Sequence, residues 1–170
     1  MSSERITHDM SLNLAAEPSA ERSSASELPM TTSEENKGSI MLRQVRPNIV
    51  QSIRAFRVEQ LQQAAADLGQ HFLYANLSAT STKQEVLEAI AEQFTFPKHF
   101  GKNFDALHDC MTDMVYKAGA QPGFIIVLEH IPQAGKFDRE ARETLLDVFR
   151  DSADFWSEKH VQFRCFYSFQ

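Results

Sequence analysis

Phe124-Ile125-Ile126-Val127-Leu128 is an unbroken apolar run, bounded by Pro122-Gly123 on one side and Pro132 on the other. The run is too short for a buried helix, and Ile125, Ile126 and Val127 are β-branched. No polar residue interrupts it, so it reads as a strand buried on both faces. Strands of that kind belong to parallel sheets, because crossover helices cover both sides of such a sheet.

Outward from this strand, the neighbouring segments supply the rest of an α/β layer. His71 to Leu77 is a short strand candidate. Val161, Phe163, Cys165, Tyr167 and Phe169 alternate with mostly polar residues and predict a terminal strand. Thr82-Lys83-Gln84-Glu85 is a capping box. It opens a helix that turns Val86, Leu87, Ile90 and Phe94 inward, and Pro97 then breaks the chain. Gly101-Lys102-Asn103 leads into a second helix, from about Asn103 to Met114. Asp138 caps a long helix reaching about Lys159, with Leu145, Val148, Phe149, Ser152, Phe155 and Trp156 on one side. Strand, helix, helix, strand, helix, strand predicts a small three-stranded parallel sheet packed with helices, with right-handed crossovers.

Upstream, Val58, Leu61, Ala65 and Leu68 recur at helical spacing and Gly69 follows as a stop. Residues 41–70 therefore read as an N-terminal extension with one helix, ahead of a main domain at 71–170. Residues 1–40 are rich in Ser, Glu, Thr and Ala, without apolar period, and read as a disordered tail. Composition changes at Met41, and translation starting there is one reading of that boundary. The N-terminus lacks the apolar segment of a signal peptide, and no apolar run reaches the ~20 residues of a membrane span, so a cytoplasmic protein is expected. Cys110 and Cys165 form no metal spacing or disulfide framework, and no cofactor or metal is expected.

The chain has 170 residues and a net charge of −6. That charge disfavours direct nucleic-acid binding and suits a basic partner. Part of it is concentrated on the second helix. Phe104, Leu107, Met111 and Met114 form one apolar stripe, while Asp105, Asp109 and Asp113 stack at i, i+4 and i+8 on another face. Like charges so placed cost a few tenths of a kcal/mol per pair. The macrodipole favours Asp105 near the N-terminus and opposes Asp113 near the C-terminus. No basic residue lies within the helix; Lys102 stands just outside it. Spacing alone gives equal weight to a solvated acidic face and to a functional surface that accepts a local penalty.

Other residue readings are weaker. His99 and His108 lack the Cys or Glu that would complete a metal set. Asp105 and Asp109 have no nucleophile motif or Gly-rich loop beside them, so an acid/base enzyme is disfavoured. Cys110 reads as a small packed hydrophobe. Gly101 reads as the residue that permits the tight turn before the helix.

The run FPKHFGKNFDALHDCMTD, residues 96–113, resembles the signature of the barstar family, the intracellular inhibitors of barnase-class ribonucleases. Pro97, Phe100, Gly101, Asn103, Asp105, Ala106, Leu107, Asp109 and Cys110 stand in register with the family pattern. LLDVFRD, Leu145 to Asp151, resembles the family's later helix, and the resemblance extends from about Phe72 to Phe169. It implies a protein that blocks a basic, extracellular-type ribonuclease one to one and is not an enzyme. By position, Asp109 would occupy the pocket for a substrate phosphate. Asp105 would pair with a second basic group, and Asp151 would add a third carboxylate. His99, Phe100, Gly101, Asn103, His108 and Thr112 would complete the binding surface. His108 and His99 stand where the family commonly has aromatics, and Lys102 occupies a variable site that can be acidic. A cation at Lys102 would weaken attraction to a basic partner.

Overall fold

The computed structural model describes residues 39–113, 119, 121–133 and 135–170. The tail expected at residues 1–40 lies outside the described residues as far as residue 38, as does Met114. Four strands, β1 (Ile49–Ser52), β2 (His71–Asn76), β3 (Gly123–Ile131) and β4 (Gln162–Phe169), form one sheet in the order β1-β4-β3-β2. Every neighbouring pair is parallel. The helices are α1 (Val58–Leu68), α2 (Lys83–Gln93), α3 (Phe104–Thr112) and α4 (Arg139–Glu158).

The apolar run lies at the centre, as its composition requires. Phe124 through Leu128 are all fully buried, with β2 on one side and β4 on the other. Successive side chains point to opposite faces of a strand. Phe124, Ile126 and Leu128 therefore join Phe163 and Cys165 in the core under α2, α3 and α4. Ile125, Val127 and Phe166 join Leu61, Ala64 and Ala65 of α1 on the other face.

The expected three-stranded sheet is corrected to four strands, because β1 pairs with β4 from Ile49↔Arg164 to Ser52↔Tyr167. Ile49-Val50-Gln51-Ser52 spans four half-buried residues, too short for a period of two to stand out. Its place comes from contacts distant in sequence. Asn48, at φ 57°, donates through its side-chain amide to the Ala153 and Val161 carbonyls, both at 3.0 Å. The chain before β1 also packs down. Leu42 is fully buried, and the Ser39 hydroxyl donates to Asp67 Oδ2 at 2.8 Å.

This added layer covers Arg164, a cation only 4% exposed. Its guanidinium donates to the Val45 carbonyl at 3.2 Å and to Gln162 Oε1 at 3.1 Å. Burial pushes the Arg164 pKa down.

The predicted caps are present. Thr82 Oγ1 accepts from the Glu85 N–H at 3.1 Å, and Asp138 Oδ1 accepts from the Ala141 N–H at 2.9 Å. The return bond of the capping box goes one residue further back, from the Ser81 N–H to Glu85 Oε2 at 3.2 Å. Among the described residues, no helix is long and apolar enough to cross a membrane.

Candidate functional site

α3 starts where its sequence directs. Asn103 is extended (φ −139°, ψ 169°), and its side-chain oxygen accepts from the Ala106 N–H at 2.7 Å. This satisfies one of the open donors of the first turn. Leu107 and Met111 are fully buried in the main core, and Phe104 packs against it half-buried. The last turn is tied to α4, because Trp156 Nε1 donates to the Met111 carbonyl at 3.0 Å. One side of this nine-residue helix is therefore fixed to the core and to its neighbour.

The opposite side carries the acidic column. Asp105, Asp109 and Asp113 are exposed. Among the described residues, no ion pair and no side-chain hydrogen bond engages Asp105 or Asp109. His108 is half-buried between them in sequence. Thr112 is also half-buried, and its hydroxyl donates back to the His108 carbonyl at 3.0 Å. That bond ties the Thr112 side chain to its own helix.

The loop before α3 is braced from both ends. The Phe100 N–H donates to the Pro97 carbonyl at 3.0 Å, closing a turn that leaves Lys98 and His99 exposed at its tip. Phe100 is an anchor: its ring stacks on Phe96 at 5.3 Å between centroids, and Phe96 meets Phe94 edge-on at 5.8 Å. At the α3 end of the loop the left-handed residue is Lys102, at φ 50°, and not Gly101. A Cβ at Gly101 would meet Ala106 Cβ and Asn103 Nδ2 at 3.4 Å, the edge of ordinary contact. The turn itself therefore does not require glycine there.

Two residues of α2 hold this loop and α3, and local spacing gave no sign of them. Glu88 Oε1 pairs with Lys102 Nζ at 3.1 Å, and that hydrogen bond, with one from Gln84, lowers the Glu88 pKa. Lys83 Nζ lies 4.6 Å from the centre of the Phe104 ring. Lys102 therefore has a carboxylate partner of its own.

Asp151 lies on a different helix from the rest of the set. It is exposed on α4, five residues before Trp156, and has no ion pair among the described residues. Its neighbour Arg150 turns instead to Asp147 at 2.8 Å and Glu143 at 3.6 Å. The structure thus gathers His99, Phe100, Gly101, Asn103, Asp105, His108, Asp109 and Thr112 on α3 and its leading loop. Asp151 comes from α4, which packs beside α3.

No curated protein matches the chain. The family model described as Barstar (barnase inhibitor) matches residues 70–168, more than half of the chain, and takes in α3, its leading loop and Asp151. The match and the parallel α/β fold agree, and the chain belongs to the barstar family.

Proposed function

We propose that this protein binds and blocks the active site of a barnase-class ribonuclease, one to one, through α3 and the loop before it. One observation carries the reading: Asp105 and Asp109 stand exposed, without ion-pair partners among the described residues, on a helix whose other side is fixed to the core and to Trp156. A ribonuclease site gathers Arg, Lys and His to hold a polyanion, and a fixed carboxylate can take the place of a phosphate, with Arg gripping it bidentately. A rigid helix presents such groups with little ordering cost on binding. The net charge of −6 adds long-range attraction to a basic partner.

In this reading Asp109 fills the phosphate pocket, Asp105 pairs with a second basic group, and Asp151 adds a carboxylate from α4. The protein acts as a binding partner without turnover, in the cytoplasm. Residues 71–170 carry the binding unit and residues 41–70 extend it. A second reading, an interaction module with a partner other than a ribonuclease, is favoured by the exposed Lys98 cation and the exposed His99 at the tip of the loop before the acidic helix.

The test is inhibition of a barnase-class ribonuclease, preferably from the same genome, by the wild type and by Asp109→Ala. The expected result is stoichiometric inhibition by the wild type, weakened at least about tenfold (about 1.4 kcal/mol) by the substitution. No inhibition at micromolar concentration by a folded sample would transfer the assignment to the second reading.

A further inference from the structure

A concave feature lies on the opposite face of the sheet from α3. The first turn of α1 and the ends of β2 and β3 enclose an open groove of about 550 Å³. That size falls within the range of small-molecule sites. Phe56 and Phe72 supply apolar walls, and Arg57, Glu59, Tyr74 and Glu129 supply polar groups. Phe56, Arg57 and Glu59 precede the segment matched by the family model, so the groove exists only because of the added layer.

Charge and hydrogen bonding indicate what the groove selects. The Tyr74 hydroxyl donates to Glu129 Oε2 at 2.5 Å. Burial and the nearby carboxylates of Glu129 and Glu59 push the Tyr74 pKa up to about 12, so the phenol keeps its proton and remains a donor. Among the described residues, no Lys or Arg pairs with Glu129 or Glu59; the basic group nearest Glu129 is His130 Nε2, at 3.9 Å. Arg57 is exposed, and the groove's lining thus carries two carboxylates and one guanidinium. A half-buried carboxylate beside aromatic walls is stabilised by a cation, and ring faces attract cations as well.

We propose that this groove binds a small organic cation, a primary ammonium on an aromatic or apolar arm. The ammonium meets Glu129 and Glu59, and the arm lies against Phe56 and Phe72. Being on the other face of the sheet, this site is independent of the ribonuclease reading.

The experiment titrates the full chain with phenethylammonium chloride, following binding by NMR and calorimetry. Neutral 2-phenylethanol and anionic 3-phenylpropionate serve as matched controls. The expected result is saturable binding of the ammonium, with each control weaker by about tenfold or more. Glu129→Gln should weaken ammonium binding by a similar factor, while Asp109→Ala leaves it unchanged. The comparison of three probes on the wild type stands even if Glu129→Gln fails to fold. No saturation at millimolar concentration, or equal affinity for the alcohol, would overturn the proposal.

Discussion

Tyr74 shows how one residue couples the added layer to stability. Its hydroxyl bonds to Glu129, and burial together with the Glu129 and Glu59 carboxylates raises its pKa from 10.0 to about 12. A folded value above the unfolded one stabilises the protein fully below the unfolded pKa, and that contribution disappears as the pH rises through the folded pKa. The urea midpoint is therefore expected to fall between pH 10.0 and about 12 in the wild type and to fall less in Tyr74→Phe. Identical slopes in the two proteins would contradict this account. At the same scale, the column of Asp105 and Asp109 was legible in the sequence, because i, i+4 neighbours are a local relation, whereas the cap at Asn103 was found only in the structure. Gly101 reads in the sequence as the residue that permits the tight turn before α3, and the structure places the left-handed backbone of that turn at Lys102, at φ 50°.

At the scale of elements, α3 depends on its neighbours. Lys102 had promised to weaken attraction to a basic partner, yet α2 answers it with Glu88 at 3.1 Å. Glu88→Gln leaves the Lys102 cation uncompensated just before α3. Under the proposed function, inhibition of a barnase-class ribonuclease is then expected to weaken roughly two- to fivefold, within the range of exposed charge pairs, and less so at high salt. The double variant Glu88→Gln/Lys102→Gln should restore wild-type inhibition. A double variant as weak as the single one would show that Glu88 acts through something other than that charge. On the other side, Trp156 is only 3% exposed and bonds to the Met111 carbonyl at 3.0 Å. Trp156→Phe keeps an aromatic ring but removes the donor from a buried site. The expected cost is about 1–3 kcal/mol in urea denaturation. An unchanged midpoint would mean that the bond contributes nothing net.

At the scale of the molecule, residues 39–69 complete the sheet and cover its second face. Without them Ile125, Val127 and Phe166, all fully buried, would face water, and Arg164 would lose the Val45 carbonyl. Exposed apolar surface of that kind destabilises the fold and promotes association. A chain beginning at Gln70, where the family match starts, is therefore expected to be insoluble or to melt without cooperativity. The measurement is calorimetric melting beside the full chain. A truncated chain with the same transition would show that the layer is dispensable.

What the sequence determined by itself was whatever depends on neighbours along the chain. The apolar run marked a strand buried on both faces, capping residues marked the starts of α2 and α4, and Asn-x-Asp-Ala-Leu-x-Asp-Cys marked the acidic helix and its family. Only the tertiary structure decided the fourth strand. β1 is four residues long, and its partner strand lies more than a hundred residues away. The Glu88–Lys102 pair, the covered Arg164 and the groove at Tyr74 and Glu129 were equally invisible in one dimension. Each is made by side chains from different elements. Periodicity and capping report the shape of an element, whereas the neighbours of its exposed charges are chosen by packing.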